Sequence, residues 1–391
     1  MLRISALVFS LGIVSRAYGA IPMALHRYDI TGKISVVQSV VRSGGYIILA
    51  VSGFGLGHIV AWDLLTLIGT ISVQAIVIRM LAPGVRISPT FSFNGLREIF
   101  GFSVFSFLTY LFFMLHRESG KMILAGKLGP TPVAYLGTPD NVSLRLHMVV
   151  ASGSETLMPR FSATGEADVA RDLFRNGTWS SLSVSLILLI PLIVLMPDFL
   201  SLWIDPEFAL ASSLVGQFVA LSYISQGAYA PVATYFRGIG KPWMVTVTVL
   251  LAGLTMLFSS LILIPRIGLE GAGYSYALAS VPAMLAVIHG WFYLFGGRSF
   301  PGFLRMICLP LAVGALAYWL LVTIRSMIPA MNWPILIVAG GSFAGIMTIS
   351  LFGSDWLIGG PGAPSRQFIT NLLAKPRVAA ILHRFGFRGE T

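Results

Sequence analysis

The sequence predicts an all-α fold class, a polytopic integral membrane helical bundle with about 11 transmembrane helices. Three observations predict this class: 56% of the 391 residues are hydrophobic, only 10% are charged, and long apolar segments recur along the chain. About 20 apolar residues are needed for a helix to cross roughly 30 Å of hydrocarbon. Because the segments lack the alternating pattern of barrel strands, a helical bundle is favoured.

A hydropathy window of about 19 residues locates the candidate spans. In chain order they cover 3–25, 34–53, 57–80, 97–128, 132–158, 178–203, 208–235, 242–264, 270–295, 302–327 and 333–352. The connections between them alternate between Lys/Arg-rich and Lys/Arg-free, and the turns near 54–57, 204–207 and 328–332 carry no basic residue. The positive-inside rule therefore predicts a cytoplasmic C-terminus and places Met1 outside.

The net charge of +11 does not predict nucleic-acid binding, because the basic residues are scattered between apolar segments. The single cysteine, Cys308, excludes an intrachain disulfide and a Cys-rich metal site. The sequence contains no Walker pattern, no His-Glu-x-x-His and no nucleophile elbow. We therefore expect neither an enzyme nor a cofactor or metal.

The chain contains an internal sequence repeat. "ALHRYDITGKISVV" after the first span corresponds to "ATYFRGIGKPWMVT" after the seventh, about 210 residues later. This repeat predicts a partial N-terminal lobe at 1–82, a cytoplasmic inter-lobe loop at 83–96 and a complete six-helix C-terminal lobe at 97–297. Two additional helices at 298–356 and a basic amphipathic cytoplasmic tail at 357–391 follow. On this interpretation about three helices of the first lobe are missing, through truncation or a late start.

Five motifs together resemble a known family. They are "GLREIFGFSVFSFLTYLFFMLHRESGKMILAGKLGPTPVAYLG", "LMPRFS", "GEADVARDLFRNG", "FRGIGKP" and "LIPRIGLEGAGYSYALAS". Their order and spacing are similar to those of the Wzx-type polysaccharide flippases, in the superfamily that also holds multidrug extruders and the lipid II flippase. The resemblance covers about residues 15–300. One departure is that Gly120 precedes Lys121 where family members often carry an acidic residue.

The resemblance implies a two-lobed transporter, here with an incomplete first lobe. Such a protein moves a lipid-diphosphate-linked oligosaccharide from the cytoplasmic to the outer leaflet of the bacterial inner membrane by alternating access. Other polysaccharide assembly proteins are then expected partners, and the basic tail is expected to bind anionic membrane lipids. Two alternatives stay open: a multidrug or other lipid exporter of the same superfamily, and a membrane-embedded glycan polymerase or transferase.

Ionisable residues interrupt the fourth and fifth predicted spans, which form an antiparallel hairpin across the short turn "KLGPTP". Ionisable groups inside a span are costly unless they face a cavity or a partner. We expect a cationic cavity that binds the diphosphate through Arg117, Lys121, Arg145 and Arg16. The candidates for ion or proton coupling are Glu118, Asp140, His116 and His147.

A structural role for the same cluster is the alternative interpretation. In that case Glu118 pairs with Lys121 and Asp140 pairs with Arg117, and the two pairs only tie the two spans together.

Overall fold

The computed structural model of the chain describes residues 2–25, 27–82, 93–163, 166–296, 300–328 and 330–358. Every regular element within those ranges is a helix, so the predicted all-α class is confirmed. The thirteen helices in these ranges are α1 (Leu2–Ala24), α2 (Tyr28–Val51), α3 (Leu56–Leu81), α4 (Phe93–Leu128), α5 (Pro130–Glu155), α6 (Met158–Ala163), α7 (Ala167–Trp203), α8 (Pro206–Gly238), α9 (Pro242–Ile267), α10 (Leu269–Ala279), α11 (Val281–Phe295), α12 (Phe300–Ser326) and α13 (Trp333–Ile358).

The helices support a multi-pass membrane protein. Among the described residues, nine helical stretches are long and apolar enough to cross a membrane. The helices α4 and α5 are not among the nine, and these two carry most of the predicted ionisable cluster. They are nevertheless long, with 36 and 26 residues.

Several predicted boundaries differ from the observed helices. The segment ahead of residue 178 continues into the predicted span, so that α7 is one helix of 37 residues. The predicted span 270–295 is interrupted at Ser280, between α10 and α11. Pro282 is a physical reason for this interruption, because it has no N–H to donate to the carbonyl four residues earlier. Residues 83–92 of the predicted inter-lobe loop, and the predicted tail from 359 onward, lie outside the described residues.

The first of two compact units comprises Met1–Gly95. Its helix α3 packs against both α1 and α2. On one side Ser15 donates a hydrogen bond to the Gln74 side chain at 3.1 Å. On the other side Arg42 of α2 donates to Asp63 of α3 at 2.7 Å, so polar contacts join α3 to both neighbours.

The second unit comprises Leu96–Thr391. Its helix α8 packs against α5, α7, α10 and α11, and large side chains such as Phe174, Leu182 and Trp291 are buried in the surrounding core. The helices α12 and α13 both pack on α7. Arg325 of α12 donates to Asp198 of α7 at 2.6 Å, which ties the helix predicted as an addition to this core.

Glycines set how closely α4 approaches α9. A Cβ atom added at Gly253 of α9 would lie 2.9 Å from the backbone oxygen of Phe112 on α4. About two turns after Phe112, Gly120 of α4 faces Met256 and Ser260 of α9. Since backbone cannot withdraw as a flexible side chain does, Gly253 is the residue that allows the two helices to touch.

We expect Gly253→Ala to lower the midpoint of thermal unfolding of the detergent-solubilised protein, at a cost of about 1–3 kcal/mol from overpacking. Gly126→Ala on α4 is the matched control, because nothing lies within 4 Å of a Cβ at that position. Equal unfolding midpoints for the two variants would contradict the close α4–α9 contact.

Candidate functional site

The hairpin of α4 and α5 brings the predicted ionisable residues together. The connection is the single residue Gly129, whose φ of 87° lies in the left-handed region that favours glycine. Pro130 then begins α5, at a position where a missing N–H costs no helical hydrogen bond. The predicted short turn is therefore present, and α4 and α5 contact each other through their side chains.

The main polar contact of the hairpin is between Lys121 of α4 and Asp140 of α5. The Lys121 ammonium donates to Asp140 Oδ2 at 2.6 Å. Asp140 Oδ1 accepts a second hydrogen bond from the Tyr223 hydroxyl of α8, at 2.9 Å. The Asp140 side chain is 0% exposed and the Lys121 side chain 14% exposed. A buried carboxylate thus has both a cation and a neutral donor, as burial of charge requires.

Local sequence explains why Asp140 faces α8. Pro139 cannot donate to the carbonyl of Tyr135, and Ser212 of α8 donates to that oxygen instead, at 2.5 Å. A Cβ added at Gly216 of α8 would lie 2.6 Å from Pro139 Cβ, so α5 and α8 are in close contact here. Tyr223 lies two turns from Gly216 on the same face of α8, next to Asp140.

Arg117 and Glu118 form the second ion pair of α4, with Arg117 Nε 3.3 Å from Glu118 Oε1. Their side chains are 31% and 44% exposed, so this pair lies nearer the surface than Lys121 and Asp140 do. The alternative pairing, Glu118 with Lys121 and Asp140 with Arg117, is wrong in both halves. Lys121 reaches α5, and Arg117 instead contacts the neighbouring residue of its own helix.

Two of the predicted cations have no carboxylate beside them. Arg145 of α5 is exposed and has no hydrogen bond or ion pair to any described residue. It lies five residues after Asp140, hence about 140° around the helix, on the exposed face that also carries Asn141 and Ser152. Arg16 of α1 is likewise exposed without a partner among the described residues, and it belongs to the first unit.

The two histidines contact the site through tyrosine rings. His116 is buried, and its ring centroid lies 6.1 Å from that of Tyr276 on α10. His147 lies 5.2 Å, between ring centroids, from Tyr223. The Nδ1 atoms of both histidines and the Tyr276 hydroxyl are buried without a hydrogen-bond partner among the described residues. The two hydrogen bonds to Asp140 come instead from Lys121 and Tyr223.

The sequence interpretation missed the two tyrosines and the nearby serines. The Ser143 side chain is buried one turn after Asp140, and Ser119 is buried on α4. Neither Oγ atom has a partner among the described residues. The signal was present as hydroxyl residues inside apolar segments, but hydropathy averages treat them as neutral positions.

A comparable polar contact lies in the first unit. Asp63 of α3 accepts from Arg42 Nε at 2.7 Å and also from the Tyr46 hydroxyl. A carboxylate between a cation and a tyrosine hydroxyl thus occurs in both units. Among the described residues, no group of three or more His, Cys, Asp or Glu side chains is placed to hold a metal ion.

Comparison with known proteins gives a family and a fold. The sequence model of the polysaccharide biosynthesis protein family matches residues 1–204. A solved structure of the lipid II flippase MurJ, in its inward closed conformation, is similar with a TM-score of 0.64. The similarity covers 89% of this chain and 73% of that chain at 12% identity, a level that shows a common fold. No curated protein matches the sequence.

We expect Lys121→Met to lower the midpoint of thermal unfolding strongly, because it leaves Asp140 buried without its cation at a cost of about 3–5 kcal/mol. Lys121→Met combined with Asp140→Leu should recover much of this loss, since apolar replacement of both partners is often tolerated.

Lys127→Met is the matched control for this prediction. Lys127 is exposed near the end of the same helix, so its replacement should change stability by no more than about 0.5 kcal/mol. A double variant that is as unstable as Lys121→Met alone would contradict the ion-pair explanation.

Proposed function

We infer that this chain, which belongs to the polysaccharide biosynthesis protein family, is a flippase for a lipid-linked oligosaccharide. In this proposal it moves a lipid-diphosphate-linked repeat unit from the cytoplasmic to the outer leaflet of the bacterial inner membrane by alternating access. The family match and a fold similar to that of a lipid II flippase support the proposal. The glycan itself, the direction and the membrane are parts of the proposal.

The observation that carries the proposal is the accessible positive charge on the α4–α5 hairpin. Arg145 is exposed without a counter-charge among the described residues, and Arg117 is nearly one-third exposed beside Glu118. Arginine offers two parallel donors to a phosphate oxygen pair, which suits a diphosphate. We therefore assign diphosphate binding to Arg117 and Arg145, and we keep Lys121, one turn from Arg117 on α4, and Arg16 of the first unit as further candidates.

A multidrug exporter is the nearest alternative. Such a transporter binds organic cations, for which accessible carboxylates are the favourable partners. Here the most buried carboxylate, Asp140, is already paired with Lys121, and the exposed charged side chains of α4 and α5 without an ion pair among the described residues, Lys127 and Arg145, are both basic. The charge distribution thus favours an anionic substrate over a cationic one.

An enzyme acting on the same lipid-linked sugar is the alternative from another class. It requires a nucleophile with a base, or a bound metal, in reach of the substrate. The proposed site instead holds cations and a paired carboxylate, which bind and orient an anion without making or breaking a bond. We therefore propose transport without chemical change of the sugar.

We expect Arg145→Ala and Arg117→Ala each to lower outer-leaflet glycan at least about tenfold in cells lacking their own flippase, because each removes charge-assisted hydrogen bonds to the diphosphate. Arg266→Ala is the control, since Arg266 is an exposed arginine in the last turn of α9 with no ion pair among the described residues. Normal glycan export by the double variant Arg117→Ala/Arg145→Ala, at equal protein level, would refute the site.

The transporter and the enzyme differ in what happens to the lipid-linked sugar. Purified protein in vesicles should move the labelled compound to the other leaflet and return it chemically unchanged on chromatography. Conversion to a new sugar product would favour the polymerase or transferase alternative.

The proposed topology can be tested with single cysteines in a Cys308→Ser background, because Cys308 is the only cysteine of the chain. We expect Gly55→Cys, in a Lys/Arg-free turn, to react with a membrane-impermeant thiol reagent added outside intact cells. Glu166→Cys, next to basic residues of α7, should react only after the cells are opened. Labelling of both cysteines from the same side would contradict the topology.

A further inference from the structure

Lys121 contacts a buried carboxylate, and the partly exposed Arg117 lies one turn earlier on the same face of α4. We propose that binding of a phosphate-containing anion draws the Lys121 ammonium away from Asp140, and that Asp140 then takes up one proton from water. Anion binding and proton binding are thus coupled within this site. The proposal rests on the proposed function, in that the transported ligand is a diphosphate, and it adds a coupling ion and names its acceptor.

The position of Lys121 allows its ammonium to contact either Asp140 or a bound anion. Its ammonium is 2.6 Å from Asp140 Oδ2, yet the side chain keeps 14% of its surface exposed. Arg117 lies four residues earlier, so the two cations share one face of α4. A lysine side chain is long and has rotatable bonds, whereas the Asp140 carboxylate is held on α5 and is 0% exposed. Lys121 is therefore the member of the pair that can move.

Departure of Lys121 would leave Asp140 with one hydrogen bond, from the Tyr223 hydroxyl. A buried carboxylate without a cation is far less favourable than the neutral acid. Protonation keeps the Tyr223 contact, because a carboxylic acid retains an oxygen that accepts a hydrogen bond. The proton comes from water and Lys121 stays an ammonium, so the site gains one positive charge as it gains the anion.

The other ionisable groups around Asp140 do not replace Lys121. On α4 the nearest are Arg117, Glu118 and His116, and Arg117 contacts Glu118. On α5 His147 faces Tyr223, and α8 and α10 contribute only the phenols of Tyr223 and Tyr276 among the groups that act electrostatically on this site. A second cation for Asp140 is thus lacking among the described residues, and the two histidines are the rival proton acceptors.

Buried hydroxyls supply a polar surrounding for proton entry. Ser143, Ser119 and Tyr276 each carry a buried oxygen that bonds to no described residue. Buried polar atoms of this kind are normally satisfied by water or by a ligand. Ser119 lies on α4, Ser143 on α5 and Tyr276 on α10. Two of these oxygens thus belong to the helices that carry Lys121 and Asp140, and the third belongs to a helix that packs against α5 and α8.

Calorimetry of the purified full chain tests the proposal directly. The probe is a water-soluble P1,P2-dialkyl diphosphate, a diester whose own charges do not titrate near neutral pH. Binding enthalpies are measured in buffers with different enthalpies of ionisation, so that their slope gives the protons taken up per bound anion. We expect about one proton for the wild type, and an affinity that rises up to about tenfold for each unit decrease in pH.

Variants identify the acceptor. Asp140→Asn, which is nearly isosteric, should bind the probe at least as tightly as the wild type, with no proton uptake and no pH dependence, because Lys121 is already free. Arg266→Ala should retain both the affinity and the proton uptake of the wild type. Proton uptake that persists in Asp140→Asn would assign the proton to His116 or His147 and overturn the proposal.

The wild-type measurement is decisive even if Asp140→Asn fails to fold. Probe binding without proton uptake would overturn the coupling, and normal glycan export in cells would show that the flippase proposal survives. Absence of probe binding would overturn both the coupling and the cationic site. If export also proved absent from cells that carry the wild-type chain, the proposed function would fail as well.

Discussion

The buried ion pair of Lys121 and Asp140 is the interaction on which the arrangement of the second unit depends. A carboxylate with no exposed surface, on a helix packed among apolar helices, must have a cation and hydrogen-bond donors beside it. Lys121 supplies the cation from α4 and Tyr223 supplies the donor from α8. Three helices are therefore held in one register by a single carboxylate, and the other polar groups of the site are arranged around it.

The glycines and the proline near this ion pair also bring α4, α5 and α8 together. Gly129 lets α4 and α5 lie side by side, and Pro139 with Gly216 brings α5 against α8 just before Asp140. Ser212 satisfies the carbonyl that Pro139 leaves free. A helix with interrupted hydrogen bonds is tolerated inside a membrane when a neighbouring helix supplies the missing donor, and this is what α8 does.

Some charged side chains of the second unit are paired and others are exposed, and this difference connects the structure to the proposed function. The paired charges tie the helices together, whereas Arg145 and part of Arg117 remain exposed, as the proposed anion site requires. Lys121 belongs to both groups, because it contacts the buried carboxylate and shares a face with Arg117. Asp63 of the first unit, held by Arg42 and Tyr46, shows that the chain uses a cation and a phenol for a carboxylate more than once.

The sequence by itself determined the helical class, most of the membrane-spanning segments, the α4–α5 hairpin and the candidate residues of the site. These features depend on the hydropathy, length and turn residues of single segments, which can be read along one chain. Only the tertiary structure decided that Asp140 pairs with Lys121 and not with Arg117, that Tyr223 completes the pair, and that Arg145 lies on another face. Those outcomes depend on how α5 is rotated against α8, and that rotation is set by contacts between residues more than 70 positions apart, such as Pro139 with Gly216.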